Sequence, residues 1–297
     1  MRIASNTVSD DILAQIQRSA AKQSKLQNQV ATGQRIFQAE DDPRSVGQVL
    51  SLQSDQRQVA QYAKNTSRAL ELSQATYSNL QGLKQVSDRA TEVGTLGAGI
   101  LSPEAATAYA SEINQLIEHT LQLANTQFRG EHLFAGTAVT TTPFTATRVS
   151  GDITAVTYGG NSNQAPIQIT ETSTITASTN GATNTGIGSF ITHLVALRDA
   201  LAVNNTSAVT AAQTTLISDE DTLVSSLAQH GGIQTRIEAV QNQQKTIADN
   251  LDAAVSAETD VDLPTAIVKL QQTQTAYQAA LQSAASIMRL SLLDYLR

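Results

Sequence analysis

Leu263-Pro264-Thr265-Ala266-Ile267-Val268-Lys269-Leu270 opens the stretch that decides the fold, and the stretch runs on to Leu296. Steps of four and three from Leu263 land on Ile267, Leu270, Gln274, Tyr277, Leu281, Ala284 and Met288. That is the 3.5-residue spacing of a coiled-coil seam. Asp262 or Thr259 reads as the cap, and Pro264 falls in the first turn, where proline costs least. A helix over this stretch is about 50 Å long, more than a core of its own can cover. It needs partner helices, and the remaining sequence supplies them.

At the other end of the chain, residues 1–9 read as extended and a helix begins near Asp10. Its seam is Ile12, Ile16, Ser19, Gln23, Leu26 and Val30, and Gly33 stops it. The aperiodic segment Gln34–Pro43 ends in Glu40-Asp41-Asp42-Pro43, with Asp42 as N-cap and Pro43 as first helical residue of the next helix. That helix is expected over about 44–98. Val49, Leu52, Val59, Ala63, Leu70, Tyr77 and Leu80 line its seam, and Gln56, Thr66 and Ser73 fill the polar positions. Ser102-Pro103-Glu104 opens a further helix over about 103–129.

At Gly136 the composition shifts to Thr, Ser, Gly and Asn, with β-type runs at 153–158 and 167–170. Helical periodicity resumes at Phe190, Leu194, Leu197 and Leu201, and again from about Ser207 to Ala257. Gly231-Gly232 inside that last helix suggests a kink or a close helix contact. The expected fold is mainly α: an elongated antiparallel coiled-coil bundle formed by both chain termini, with a small β-rich inserted outer domain. Five segments follow: 1–43 (N-terminal segment, helix and loop), 44–136 (long helices), 137–188 (β-rich insertion), 189–262 (returning helices) and 263–297 (C-terminal amphipathic helix).

Composition narrows the function. The chain has 297 residues, a net charge of −7, no Cys and no Trp. No Lys/Arg cluster is present to neutralise phosphates, which argues against nucleic-acid binding. No run approaches a membrane span of about 20 apolar residues. The first 30 residues hold no apolar core of a cleaved signal peptide. His119, His132, His193 and His230 show no metal-ligand spacing and read as exposed or loosely packed. The acidic triplet before Pro43 lacks the alternating ligands of a calcium loop and reads as a helix cap. No catalytic, metal or cofactor site is expected. A secreted hydrolase on a helical stalk would need a catalytic cluster in 137–190, and Asp152 and Glu171 there have no evident partner.

Three motifs carry a resemblance. Gly33-Gln34-Arg35-Ile36 followed by Asp41-Asp42-Pro43 resembles the loop after the first helix of the flagellin superfamily. Asn125, Gly130, Leu133-Phe134-Ala135-Gly136 and Pro143-Phe144 are similar to the entry to that family's outer domain. Ser291-Leu292-Leu293-Asp294-Tyr295-Leu296 resembles the ending of its hook–filament junction branch, and Met1-Arg2-Ile3 fits that branch as well. The resemblance implies a non-enzymatic structural subunit of the bacterial flagellum, exported by the type III apparatus without a cleaved signal peptide and located outside the cell. It implies a ring of copies between a hook-side junction protein and flagellin, and an export chaperone on the C-terminal helix. The implied assembly loop is Gly33, Arg35, Ile36, Asp41, Asp42 and Pro43. The implied assembly and chaperone-binding residues are Ile267, Leu270, Tyr277, Leu281, Met288, Leu292, Leu293, Tyr295 and Leu296. The alternative within the family is a flagellin that forms the filament itself.

Overall fold

Nothing between Arg2 and Thr32 breaks a helix: the segment holds neither Pro nor Gly. In the computed structural model, which describes residues 2–295 and the side chains of residues 10–286, this whole segment is one helix, α1 (Arg2–Thr32). The extended start expected for residues 1–9 is therefore corrected from residue 2 onward. Five further helices follow in chain order: α2 (Pro43–Gly97), α3 (Pro103–Ala124), α4 (Gly181–Ala202), α5 (Thr206–Thr259) and α6 (Leu263–Tyr295). Between α3 and α4 lie six short strands: β1 (Gln127–Phe128), β2 (Glu131–His132), β3 (Phe144–Val149), β4 (Asp152–Tyr158), β5 (Ile167–Gln168) and β6 (Thr174–Ile175).

The chain divides into two compact units, one of residues 1–58 with 248–297 and one of residues 59–247. In the first unit α1 packs on α6. Gly33 after α1 accepts the amide of Val261 just before α6 at 2.9 Å, which ties the end of one helix to the start of the other. The two therefore run antiparallel. All six expected seam positions of α1 from Ile12 to Val30 are at least partly buried, and Leu26 fully so.

The second unit holds the main core. Leu80, Leu83 and Val93 of α2, Ile113 and Ile117 of α3, and Phe190, Leu194 and Leu201 of α4 form one buried cluster with Val209, Leu216 and Leu223 of α5. Phe144 of β3 and Ile153 of β4 are buried in the same cluster. Segment 137–188 thus shares the helices' core instead of owning one, and α4 begins at Gly181, capped by the Asn180 side chain at 2.7 Å from the Thr183 amide. The β-rich stretch is shorter than expected at that end. α3 is shorter too: it ends at Ala124, not near 129, with Asn125 as its C-cap and the Asn125 side chain turned to the Phe144 backbone.

Each sheet is a two-stranded antiparallel hairpin. The β1–β2 turn uses Arg129 (φ 53) and Gly130 (φ 84), and the β3–β4 turn uses Ser150 (φ 56) and Gly151 (φ 99). Two consecutive left-handed residues make the tight hairpin turns that match strand twist. The β3–β4 hairpin is held on the helices by ionic contacts. Arg148 Nη2 donates to Glu118 Oε2 of α3 at 2.7 Å. The buried Arg198 of α4 donates to the Ile153 carbonyl at 2.7 Å.

At Gly231-Gly232 one of the two expected alternatives, the close helix contact, is overturned. A Cβ added at either position meets no atom within 4 Å, so neither glycine serves a close helix contact.

Candidate assembly site

On α6 the face turned to α1 is carried by Ala266, Leu270, Thr273, Gln274, Tyr277, Ala280 and Ala284, all buried or partly buried. Leu270 and Tyr277 are therefore used inside the chain. Leu263, Ile267 and Leu281, which the heptad count placed on the same seam, instead lie on its flank, 42%, 42% and 43% exposed. The seam is narrower than the heptad reading because small residues let α1 approach closely along the line 266–284. Val268 and, on α1, Leu13 are also more than half exposed. Leu263, Ile267 and Leu281 thus leave an apolar flank of α6 open to solvent. The side chains of Met288, Leu292, Leu293 and Tyr295, and the whole of Leu296, lie outside the described residues.

The loop between α1 and α2 is built on α5's end. Residues at a helix C-terminus leave carbonyls without partners. Here the Arg35 amide donates to the Thr259 carbonyl at 2.6 Å. The Arg35 guanidinium donates to the Glu258 carbonyl at 2.8 Å, to Asp42 Oδ2 at 3.2 Å and to Ser45 Oγ at 3.3 Å. Ser45 Oγ in turn lies 2.8 Å from Asp42 Oδ2 and 2.9 Å from Glu258 Oε2. Glu258 sits in the last turn of α5, where a negative charge opposes the helix dipole, and the cation beside it offsets this. Gly33 takes a left-handed φ of 73 so that the chain can turn out of α1.

Asp42 is the N-cap of α2: its Oδ1 accepts the Ser45 amide at 3.2 Å. Its carboxyl is held below the usual range by that amide first, then by the Ser45 hydroxyl and Arg35. Asp41 accepts the Phe37 and Gln38 amides at 3.0 and 3.2 Å and pairs with Lys25 at 2.6 Å. Lys25 first, then those amides, hold its pKa down at about 2. Pro43 starts α2 and Ile36 is partly buried. Five of the six loop residues thus take part in folding this junction, with Ile36 only partly covered.

Sequence reading missed Ser45, Glu258 and Lys25. Ser45 was within reach: it stands three residues after an Asp-Pro cap, where the capped amide lies. Glu258 is over two hundred positions away, and no local pattern points to it.

At the entry to the strands, Asn125 Oδ1 accepts the Phe144 amide at 3.0 Å and Asn125 Nδ2 donates to the Phe144 carbonyl at 2.9 Å. Leu133, Phe134 and Ala135 are buried, and Gly136 has φ 68. A Cβ on Gly136 would stand 2.2 Å from the Asn161 carbonyl oxygen, so only glycine fits.

Three histidines are packed and partnered, against expectation. His132 Nδ1 lies 3.0 Å from the Asn125 carbonyl and Nε2 2.9 Å from Gln127 Nε2, so Nδ1 carries the proton. His193 Nδ1 meets Asp219 Oδ2 at 2.6 Å, and burial raises the Asp219 pKa against that contact. His230 is 3% exposed, with Ser73 Oγ at 3.4 Å from Nδ1. Only His119 is exposed. No group of three or more metal-ligating side chains occurs among the described residues, and no helix among them is long and apolar enough to cross a membrane.

Residues 3–139 match the family described as the bacterial flagellin N-terminal helical region. Flagellar hook-associated protein 3 of Salmonella typhimurium is 29% identical over 146 residues, 48% of this chain and 46% of that protein. The match therefore spans about half the length of that relative. The flagellar filament 30.7 kDa core protein of Treponema maltophilum is 28% identical over 254 residues, 84% of this chain and 83% of that protein. Among solved structures, a flagellar hook-associated protein of Vibrio parahaemolyticus superposes with a TM-score of 0.67 at 18% identity, covering 74% of this chain and 100% of that one. Bacillus cereus FlgL does so at 0.59 and 20%, covering 71% and 99%. The superpositions show the fold, and the loop and strand-entry motifs fall on elements described above. Over its first 139 residues the chain is thus similar to the helical region of bacterial flagellins, and over most of its length it shares the fold of the flagellar hook-associated structures.

Proposed function

We propose that this chain is a structural subunit that joins hook to filament in the bacterial flagellum. The observation that carries the reading is the terminal pair α1/α6: it closes on itself through small residues and leaves Leu263, Ile267 and Leu281 exposed along one flank. Burying a large aliphatic side chain is worth about 1.5–3 kcal/mol. Neighbouring copies in a ring would cover this flank, with a hook-side junction protein and flagellin above and below. Before assembly an export chaperone would cover it. The loop Gly33–Pro43, in which Arg35, Asp41 and Asp42 are paired within the chain, would present a preformed surface to a neighbour. The finished subunit would lie outside the cell, exported without a cleaved signal peptide, and the reading assigns it no catalytic role.

The second reading is a filament-forming flagellin. Its support is the Treponema filament protein, which matches over more of the chain than the hook-associated relative does. Deleting the gene in the source bacterium separates the two. A junction subunit predicts hooks without filaments and intact flagellin released to the medium. Filaments that persist on the hooks would refute the junction role.

A further inference from the structure

The α2–α5 pairing in the second unit has two apolar cores and a polar break between them. On one side, Ala75 and Leu80 of α2 and Leu223 and Leu227 of α5 belong to the main cluster, and Leu72 of α2 packs against both clusters. On the other side, Ala69 and Leu70 of α2 meet Ile233, Ile237 and Val240 of α5 in a separate, much smaller cluster with Ile169, Ile175 and Ala177. Between them stand Ser73 and His230, buried and 3.4 Å apart. The next two residues of α5 are Gly231 and Gly232, and neither is needed for packing. Adjacent to them the Gln234 amide nitrogen is buried without a hydrogen-bond partner.

The smaller core is closed by the β5–β6 hairpin, and every polar tie of that hairpin to α5 lies beyond the glycines. Gln244 Nε2 donates to the Ile169 carbonyl at 2.7 Å and to Thr66 Oγ1 at 3.0 Å. Arg236 donates to Ser173 Oγ at 3.0 Å. Asn65 of α2 donates to the Gln168 carbonyl at 2.9 Å. Local opening follows contiguous units with few apolar contacts. A helix crossing such a boundary through two unpacked glycines propagates order poorly across it.

We propose that Gly231-Gly232 is a built-in hinge, and that residues 233–247 of α5, the β5–β6 hairpin and the facing turns of α2 open together while the main core stays closed. This inference does not rest on the flagellar reading. The test is amide hydrogen exchange, read by mass spectrometry, on the full chain at neutral pH. The hinge predicts that 165–177 and 233–247 exchange at least about tenfold faster than 187–201 and 209–227. Each glycine-to-alanine change in an open helix interior is worth about fivefold, so Gly231→Ala with Gly232→Ala should slow exchange in 233–247 by about 25-fold. Ile169→Ala should speed exchange in 165–177 and 233–247 together and leave 187–201 protected. Equal protection of 209–227 and 233–247 in the parent chain overturns the proposal. So does an Ile169→Ala loss that spreads into the main core.

Discussion

His230 gives the stability of this fold a pH dependence that can be worked out in advance. Its ring is buried, the neutral Ser73 Oγ lies 3.4 Å from Nδ1, and burial pulls its pKa down to about 4. In the unfolded chain the same group titrates near 6.5. Below that value the unfolded state binds a proton that the folded state refuses, so stability rises with pH and falls as pH drops. The loss begins near pH 6.5 and is complete near pH 4. With about 1.4 kcal/mol per pKa unit, the total is about 3 kcal/mol, a large share of an ordinary domain's stability. His230→Gln keeps a hydrogen-bonding group toward Ser73 and cannot titrate. Urea unfolding followed by circular dichroism, at steps from pH 7.5 to 4.5, should give the parent a steeper decline than the variant. The difference between the two curves should approach about 1.4 kcal/mol per pH unit in the middle of the range. Carboxylate titrations, including that of Asp219 beside His193, occur in both chains and cancel. Parallel curves would refute the reasoning.

Arg35→Ala removes a cation that ties the α1–α2 loop to the end of α5. Its side chain is 42% exposed, so the loss should be about 1 kcal/mol, read as faster amide exchange over 256–263. Arg35→Lys should not restore protection, because one ammonium cannot span the Glu258 carbonyl, Asp42 and Ser45. Asn125→Ala strips both backbone partners from Phe144 in the core and should lower the Tm by about 5–10 °C. A change under about 1 °C would show that water replaces the amide. Ile267→Gln and Leu281→Gln sit on the open flank of α6 and should leave monomer stability within about 0.5 kcal/mol. Each should weaken assembly tenfold or more, measured as the concentration needed for incorporation into a flagellin-seeded polymer.

Much of this architecture could be read locally. Asp42-Pro43 and Asp262 announce helix starts, and α1's seam from Ile12 to Val30 follows its repeat. What escaped has physical causes. The α6 seam is half a stripe wider in the heptad count than in the fold, since Ala266, Ala280 and Ala284 carry the contact while Ile267 and Leu281 do not. β3 escaped although Ser150-Gly151 between two alternating runs is a hairpin signal. The start of α4 hid in Gly181-Ala182-Thr183-Asn184, small polar residues without period, ordered by the Asn180 cap and by burial of Thr183 and Asn184. The candidate loop was legible as a loop, but its function within the chain depends on Glu258, a long-range partner. Whether its outer surface meets a neighbour is a property of the assembly, and one chain does not encode it in any local pattern.

Terminal helices that seat this subunit at a junction should cap polymers without forming them. The direct measurement is electron microscopy of the purified full-length chain, alone and with hooks and flagellin seeds. A junction subunit forms no long filaments alone and decorates only the ends of hooks and of flagellin polymers. Long filaments grown from the chain alone would contradict it.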